Sequence, residues 1–558
     1  MPSSSPTPLA SIFLSCILNR RLIPLRNSSI KFSLNSPMAG LSSAMALFVF
    51  LLLCFSFFSL SHSLRGFFID CGSSAPTTHG GRTWQSDDGF VFSGINKNVT
   101  GPVLDPTLST VRSFPRVLNR KFCYVVGPVF RTRRYMVRTT YYYGGVNGLD
   151  SPPVFDQIVD GTVWSMVNTT EDYALGLTSY YEGIFEAKAR SITVCIGSNM
   201  YTDSDPFLSA LEVVTLENSL YNTTDFNNYG LRLVARHSFG YNGSNLRHPD
   251  DQFDRFWQPF GNSSGNVTSR TVSASGIWNL PPSKIFETEL KTDKLEPLEL
   301  NWPPISLPGP ESNFTYYIAL YFANDHASSS DNLRVFNISV NGIKYYGDLN
   351  ASSAGHVVFA SQWPLHGLTN ITLTPSPLSK LGPLINGGEL FHLVSLGERT
   401  HAKDVVNLER VKESLKNPPP DWNGDPCFPH EYRWTGITCS GGSRNRVVTL
   451  NLTNMDLSGS LSSSIANLTA LSGIWLGNNS LSGTIPDLSP LKLLEIVHLQ
   501  ENNFSGEIPL SLGNIPRLRE LFLYNNNLTG EVPQSLLNKQ LNLRIFPGNH
   551  LLAPPPPA

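Results

Sequence analysis

The chain has 558 residues, and its 41 basic and 43 acidic side chains leave a formal net charge of only -2. A near-neutral chain without a basic stripe gives no basis for nucleic-acid binding. Only 15% of the residues are charged and 11% are aromatic, which is typical of a folded chain. Its length, once a leader is set aside, predicts two to four domains.

The segment 1–63 predicts a targeting leader rather than a folded domain. It contains no Asp or Glu, it carries several basic side chains, and it ends in a continuous apolar run at 47–60. This run is too short for a membrane span of roughly 20 residues, but it fits a signal-peptide core with cleavage before Leu64. Two alternatives stay open. Met38 or Met45 is the true start of the signal peptide, or the run stays uncut as an N-terminal anchor.

Sugar acceptor sites support export independently. Their density beyond the leader predicts a glycosylated protein of the secretory pathway, located outside the cell, in the wall or at the plasma-membrane surface. Asn-rich loops would produce some of these sites by chance, so full occupancy is not expected. The fifteen Asn-x-Ser/Thr sites are Asn98, Asn168, Asn222, Asn242, Asn262, Asn266, Asn313, Asn337, Asn350, Asn370, Asn451, Asn467, Asn478, Asn503 and Asn527.

Five cysteines follow the leader, so one thiol is left over. Cys427 and Cys439 are close in sequence and distant from the others, which predicts a disulfide between them. Among Cys71, Cys123 and Cys195 the sequence does not choose a pair.

Residues 64 to 398 carry an all-β signature in two halves. Short runs rich in Val, Ile, Thr, Tyr and Phe alternate with clusters of Gly, Pro, Asn and Asp. The aromatic pair at 142–143 recurs at 321–322, and the run at 154–161 recurs at 335–342, so the two offsets are nearly equal. So steady an offset indicates duplication of one β-sandwich. The predicted halves are half 1, residues 64–220, and half 2, residues 221–398.

Leucine-rich segments repeat between residues 447 and 549. The triplet Leu450-Asn451-Leu452 recurs at 474–476, 497–499 and 521–523, which is an almost constant spacing. This is the signature of a leucine-rich repeat. Strand alternation sends the paired apolar residues inward, and an Asn that follows each later triplet can bond the turning backbone. No single repeat buries its own apolar face, so the repeats are expected to stack.

A linker and cap join these regions, and a Pro-rich tail at 550–558 closes the chain. The spacing of Val405, Leu408, Val411 and Leu415 predicts a helix over 404–416. The rest of 399–446 predicts a disulfide-stapled N-terminal cap, which would cover the exposed end of the solenoid core.

Several motifs resemble the plant malectin-like domain. They are Ile69 to Ser73, Trp84, Asp87 to Phe90, Arg112 to Pro115, Phe122 to Tyr124, Ser151 to Asp156, Val194-Cys195, Pro206 to Glu212 and Pro383 to Phe391. The whole chain resembles plant receptor-like proteins that join this domain to a short repeat. It is also similar to the ectodomain of symbiosis receptor kinase, which carries a junction like Gly424 to Cys427. The resemblance implies a mainly β fold, with tandem malectin-like β-sandwiches followed by a short plant-type leucine-rich-repeat solenoid.

The resemblance also implies a carbohydrate site, because malectin binds a glucose disaccharide through aromatic residues. An aromatic face suits the apolar side of a sugar ring, while Asp and Asn satisfy its hydroxyls. The implied sugar contacts are Tyr142, Tyr143, Asn147, Asp150, Tyr321, Phe322, Asn324 and Asp325. Because a strand alternates, at least one ring of 141–143 is expected to face the core instead.

A second candidate surface lies between the paired leucines of the repeats. Outward side chains at those positions form adjacent stripes on the concave face, where exposed aromatics are candidate protein contacts. The alternative is that loops or a glycan cover them. The predicted partner face comprises Trp475, His498, Gln500, Phe522 and Tyr524.

No catalytic, metal-ligating or cofactor-binding constellation stands out, so we predict a non-enzymatic, extracellular receptor-like binding protein. Its malectin-like part would recognise a carbohydrate or peptide, and its repeats a membrane receptor kinase or co-receptor. Signalling would pass through that partner kinase. Membrane contact is expected only with an uncut leader or a longer native chain. A secreted inhibitor of microbial wall-degrading enzymes is the alternative, and a β-sandwich glycoside hydrolase a more distant one.

Overall fold

The computed structural model describes residues 65–103, 105–148, 151–261, 272, 276–324, 332–442 and 445–553. The predicted leader, the predicted sugar contacts Asp150 and Asp325, and the acceptor sites Asn262 and Asn266 lie outside these ranges. Across the described ranges, no helix combines the length and apolar character needed to cross a membrane. The predicted mainly β fold is confirmed.

The described residues of half 1 form thirteen strands and one short helix. They are β1 (Gly66–Asp70), β2 (Thr77–His79), β3 (Arg82–Ser86), β4 (Ile95–Asn98), β5 (Thr110–Ser113), β6 (Lys121–Val126), β7 (Arg134–Tyr141), β8 (Val154–Val159), β9 (Thr162–Asn168), α1 (Thr170–Ala174), β10 (Ser179–Glu186), β11 (Ile192–Gly197), β12 (Phe207–Leu208) and β13 (Ala210–Thr215). A 3-10 turn at Pro106–Leu108 precedes β5.

Half 2 repeats this plan, with eleven strands in the part of it that the structure describes. They are β14 (Tyr229–Phe239), β15 (Gln258–Phe260), β16 (Leu290–Lys291), β17 (Leu298–Asn301), β18 (Thr315–Phe322), β19 (Val335–Val340), β20 (Ile343–Asn350), β21 (His356–Pro364), β22 (Asn370–Pro375), β23 (Leu384–Ile385) and β24 (Gly387–Ser395). The aromatic pair at 142–143 follows β7 directly, whereas the pair at 321–322 ends β18; the second repeated run begins with β8 in half 1 and with β19 in half 2. The duplication seen in the sequence therefore corresponds to matching strands.

One large sheet runs through both halves. Its order is β2-β3-β1-β13-β7-β10-β14-β24-β18-β21, with β15 paired to β14. The halves join where β10 pairs with β14, at Gly183 opposite Arg232 and Ile184 opposite Leu231. A smaller sheet, β6-β11-β8-β9, covers half 1, and β17-β22-β19-β20 covers half 2. The two predicted sandwiches therefore share their main sheet.

The large sheet is covered on both faces. On β18, Leu320 and Phe322 pack into the core beneath the smaller sheet of half 2. Tyr317 and Tyr321 alternate with them and pack into a separate hydrophobic core on the opposite face of the large sheet. The covering segment there includes Trp257 of half 2. Side chains on both faces of β18 are therefore buried, so the large sheet is packed on both sides at this strand.

A row of alternating charges crosses that opposite face, and we call it the charge row. It consists of Glu212 on β13, Arg138 on β7, Glu182 on β10, Arg236 on β14 and Glu389 on β24, all buried. The successive ion pairs measure 3.0, 2.8, 2.7 and 2.7 Å. Buried charges are tolerated only when paired. The row therefore links the two halves through their side chains as well as through their backbones.

The linker helix and the repeats follow. Their elements are α2 (Ala402–Ser414), β25 (Ile437–Cys439), β26 (Val447–Asn451), β27 (Ser458–Ser460), β28 (Gly473–Trp475), β29 (Ser480–Thr484), β30 (Ile496–His498), β31 (Asn503–Glu507), β32 (Glu520–Phe522), β33 (Asn527–Gly530), α3 (Gln534–Leu537), β34 (Asn542–Arg544) and β35 (Leu551–Leu552). The helix begins and ends slightly before the predicted 404–416. Strands β26, β28, β30, β32 and β34 run parallel.

Asn side chains join consecutive repeats as expected. Asn502 donates from Nδ2 to the carbonyls of Leu476, at 2.9 Å, and Leu499, at 3.3 Å, and its Oδ1 accepts from the Leu481 amide at 2.9 Å. Asn549 makes the equivalent contact in a fifth repeat, where it donates to the carbonyl of Leu523 at 2.9 Å. Each Asn satisfies backbone groups that would otherwise be buried without partners.

The linker and cap at 399–446, which we call the junction, connect the malectin-like halves to the repeats and contact half 1. The predicted Cys427–Cys439 disulfide is present, and Cys123 pairs with Cys195, which leaves Cys71 as a buried thiol. Gly424 packs against the Cys123–Cys195 disulfide.

A buried lysine crosses the same junction. The Lys121 ammonium donates to the carbonyl of Asp425 at 2.6 Å and also to that of Phe428. Burial lowers the pKa of Lys121 to about 7. The Tyr432 hydroxyl adds a 2.7 Å hydrogen bond to Asp156. The junction is therefore packed and hydrogen-bonded to half 1.

Candidate functional site

The first predicted aromatic pair lies in the interior of half 1. Tyr142 and Tyr143 are 5% and 2% exposed. The Tyr142 hydroxyl donates to the Pro102 carbonyl at 2.6 Å, and the Tyr143 hydroxyl donates to the Gly148 carbonyl. Both rings are thus held within the protein.

The second pair is buried completely. Tyr321 and Phe322 are each 0% exposed. The Tyr321 hydroxyl donates to Glu389 at 2.6 Å, and the Phe322 ring packs 5.6 Å from that of Phe336. This burial contradicts the predicted sugar contact at all four rings, because none offers a face to a ligand. The large sheet is covered on both faces at β18, so the side chains that alternate along this strand are buried on either side.

The predicted amide contacts are also engaged internally. Asn147 donates to the Asp205 carbonyl at 2.7 Å and accepts from Lys97 at 2.8 Å. Asn324 is buried and accepts from the Arg334 guanidinium at 3.2 Å. The six predicted sugar contacts that the structure describes therefore do not converge on one open site.

The predicted partner face of the repeats does assemble. Strand pairing places Trp475, His498 and Phe522 side by side on β28, β30 and β32. The Trp475 and His498 rings meet edge to face at 6.1 Å, and the His498 and Phe522 rings stack at 4.2 Å. All three side chains are half-buried. They form a continuous aromatic row on the surface of the solenoid.

The second predicted stripe lies beside this aromatic row. The Tyr524 ring lies 6.5 Å from that of Phe522, and Gln500 is half-buried one strand away. The Oε1 atom of Gln500 is buried and has no hydrogen-bond partner among the described residues. The five predicted residues therefore share one surface.

Two further residues of this surface escaped the sequence analysis. Arg544 lies on β34, and its guanidinium stacks over the Phe522 ring at 4.8 Å. Glu520 contacts His498 Nε2 at 3.0 Å. The signal for Arg544 was present as Leu543-Arg544-Ile545, but the Asn of that repeat follows one position later than in the other copies. Glu520 precedes its Leu-x-Leu triplet, so the spacing did not select it.

A cavity of about 760 Å³ lies where half 1 meets α2. Apolar residues such as Phe92, Val125 and Val405 line much of it. The charged groups at its edge are already paired, as with Arg399 and Asp160 at 3.7 Å. Nothing in its lining selects a particular ligand chemistry. Among the residues with described coordinates, no cluster of His, Cys, Asp and Glu is arranged to hold a metal ion.

Comparison with known proteins identifies the family. The model of the malectin-like domain family matches residues 69–393, which is more than half of the chain. The chain belongs to the malectin-like family. The leucine-rich-repeat model also matches residues 493–515 and 517–538, so this malectin-like chain carries both types of region predicted from its sequence.

Curated relatives of this malectin-like chain are plant receptor kinases. It is 31% identical over 492 residues to "Probable LRR receptor-like serine/threonine-protein kinase At1g67720" of Arabidopsis thaliana, covering 82% of this chain and 50% of the relative. It is 29% identical to "Receptor-like protein kinase At3g21340" of the same plant, covering 75% and 48% respectively. The chain thus spans about half the length of these relatives.

Two solved structures match part of the chain at low sequence identity. The ANX2 ectodomain of Arabidopsis thaliana matches with a TM-score of 0.46 and 18% identity, covering 59% of this chain and 97% of that one. A chain from the structure titled "Crystal structure of plant peptide RALF23 in complex with FER and LLG2" matches with a TM-score of 0.45 and 18% identity, covering 59% and 95%.

Proposed function

We propose that this protein is a non-enzymatic, extracellular receptor-like binding protein whose repeat face docks a protein partner. The partner class is a membrane receptor kinase or co-receptor, through which any signal would pass. The malectin-like part recognises a separate carbohydrate or peptide ligand. One observation carries the docking proposal, namely the aromatic row formed by Trp475, His498 and Phe522.

The composition of this surface fits protein docking. Interface hot spots are enriched in Trp, Tyr and Arg, and they are most effective when neighbouring contacts hold them in place. Here Arg544 stacks over Phe522, and Glu520 fixes the His498 ring. The rings are ordered before a partner arrives, so binding would lose less side-chain entropy.

The relatives support the choice of partner class. Those matched in sequence are named receptor-like kinases, and the chain aligns with about half of each. A receptor-like protein that shares this architecture would act together with a kinase of that class. The proposal rests on the repeat surface for docking and on family membership for the cellular role.

Surface plasmon resonance can test docking. The secreted protein would be immobilised and a panel of plant receptor-kinase ectodomains passed over it. For any ectodomain that binds, we expect the Trp475→Ala, Phe522→Ala double variant to weaken affinity at least about thirtyfold, since loss of a hot spot costs about 2 kcal/mol or more.

Leu510→Ala is the matched control, because this repeat residue is 74% exposed and lies in a different element, the 3-10 turn that follows β31. It should leave affinity unchanged. Equal affinity for the double variant and the parent protein would refute docking on this face. If no ectodomain binds but a microbial pectinase is inhibited, the inhibitor alternative replaces the receptor role.

A further inference from the structure

One sugar acceptor site lies on the same sheet surface as the aromatic row. Asn451 is the outward residue of the first Leu-x-Leu triplet, and the parallel register of β26 and β28 places it directly opposite Trp475. Neighbouring strands of a sheet are about 4.8 Å apart. Asn451 therefore extends the row by one position, on the side of Trp475 that faces away from His498.

The other acceptor sites of the repeats lie elsewhere. Asn503 and Asn527 begin β31 and β33, which belong to the second sheet of the solenoid. Asn467 lies in a 3-10 turn, and Asn478 lies between β28 and β29. Among the described residues of the repeats, Asn451 is thus the one candidate acceptor on the sheet that carries the aromatic row.

The side chain of Asn451 has room for a sugar chain. It is exposed, as is Thr453, the third residue of its acceptor motif. Its Oδ1 accepts from the Thr453 amide at 3.2 Å, and its Nδ2, the atom that bears an N-linked sugar, has no hydrogen bond to any described residue. By contrast, Nδ2 of Asn478 donates to Asn454 at 2.7 Å. On the cap side the Asn451 amide donates to the Gly436 carbonyl at 2.8 Å, and a glycine adds no side chain that would crowd a glycan.

Trp475 is the part of the aromatic row that such a glycan would meet. A Cβ at Gly473 would lie 2.2 Å from two atoms of the indole, so the indole folds back over Gly473 and lies along its own strand. The His498 ring occupies one side of it, at 6.1 Å, and Asn451 lies on the other. Because an N-linked oligosaccharide is bulky, its first sugars would cover the indole from the Asn451 side.

We propose that Asn451 carries an N-linked glycan that shields the Trp475 end of the aromatic row and thereby weakens docking of the protein partner. The effect on docking rests on the proposed function of the repeat face, whereas the shielding of Trp475 does not. In the covalent step, Nδ2 of Asn451 loses a proton and forms a bond to the anomeric carbon of an oligosaccharide. The bond from that carbon to a lipid-linked diphosphate breaks, and the diphosphate leaves with the electron pair.

Two measurements on the full chain secreted from plant cells test the shielding. Glycopeptide mass spectrometry reports whether Asn451 carries sugar, and acrylamide quenching of fluorescence reports access to the Trp475 indole. Thr453→Val removes the acceptor motif and keeps the side-chain shape, whereas Thr453→Ser keeps the motif. Adding Trp475→Phe to each protein gives the signal of the other tryptophans for subtraction. We expect sugar on Asn451 in the parent and in Thr453→Ser, and a steeper quenching slope for Trp475 only in Thr453→Val.

Surface plasmon resonance with a receptor-kinase ectodomain that binds tests the effect on docking. Thr453→Val should bind about tenfold more tightly than the parent, because one accessible interface tryptophan contributes an effect of this size. The gain should vanish when both proteins also carry Trp475→Ala, since the glycan acts through that ring. Ser505→Ala is the matched control, because it removes the Asn503 acceptor motif on the second sheet and should leave affinity unchanged.

Each result decides one part of the proposal. An unmodified Asn451 would overturn it, and so would equal quenching of Trp475 in the parent and in Thr453→Val. With an ectodomain that binds, no gain in affinity, or a gain that persists beside Trp475→Ala, would refute the effect on docking. If no ectodomain binds while quenching differs as expected, the docking function fails and the shielding by the glycan stands.

Discussion

Replacing Arg138 by Met would remove the second member of the charge row and strand a buried carboxylate. Although burial opposes its charge, Glu212, Glu182 and Asp254 hold the pKa of Arg138 above its ordinary value. Without Arg138, Glu182 keeps Arg236 at 2.7 Å, so its charge stays paired. Glu212 keeps no hydrogen bond to any described residue.

The size of the effect follows from that single stranded charge. Breaking a buried ion pair on one side costs about 3–5 kcal/mol, because the remaining charge is desolvated without compensation. Adding Glu212→Gln to Arg138→Met removes the stranded charge. The double variant should therefore recover at least about 2 kcal/mol of the loss in free energy of unfolding.

The pH dependence has a definite sign. Burial already raises the pKa of Glu212, and losing Arg138 raises it further. A carboxyl whose folded pKa exceeds its unfolded pKa contributes stability at low pH that is lost as pH rises through the folded value. The deficit of Arg138→Met should accordingly be smaller at about pH 4 than at about pH 7.

Urea unfolding followed by intrinsic fluorescence at both pH values measures these differences. The parent, the two single variants Arg138→Met and Glu212→Gln, and the double variant would be compared as secreted full chains. A double variant as unstable as the sum of the two single variants would refute the pairing argument. So would a deficit of equal size at both pH values.

Three further predictions concern the junction and the repeats. A lysine with a folded pKa of about 7 and a higher unfolded pKa makes the parent protein gain stability as pH rises above about 7. Lys121→Met should abolish this rise in the free energy of unfolding. Urea midpoints measured between neutral and alkaline pH would show the difference. Asn502→Ala should cost about 2–3 kcal/mol of unfolding free energy, since it leaves buried backbone groups unpaired, whereas Asn542→Ala, at an exposed position of β34, should cost little. Gly424→Ala should loosen the junction and speed limited proteolysis there, because its Cβ would lie 2.9 Å from a disulfide sulfur. Gly442→Ala is the control for backbone strain, since Gly442 also has a positive φ but no atom of the described residues would lie within 4 Å of its Cβ. Equal proteolysis of the two Gly variants, or equal stability of the two Asn variants, would contradict these expectations.

The repeats were predictable from sequence to the level of single side chains. Because each Leu-x-Leu triplet fixes which residues point inward, the neighbours Trp475, His498 and Phe522 followed from spacing alone. Their rings lie side by side in one row, as the parallel register requires. Local periodicity suffices wherever each repeat contacts mainly the next one.

The malectin-like part was predictable only as far as its strands. Alternation indicates that neighbouring residues face opposite sides of a sheet, but it does not indicate whether either side is exposed to solvent. Tyr321 and Phe322 do face opposite sides, and each side is a packed core. Likewise, sequence alone presents Arg138 and Glu182 as ordinary charged residues. Their burial depends on a segment of half 2 that is distant in sequence.

Strand pairing across the duplication point means that neither half is a self-sufficient piece. Protease cleavage or a shortened transcript that removed half 2 would strip β10 of its neighbour β14 and leave open backbone groups along a sheet edge. Exposed edges of this kind recruit other chains and aggregate. Evolution can therefore vary the loops of this region, but gain or loss of a whole half would have to rebuild the shared sheet at the same time.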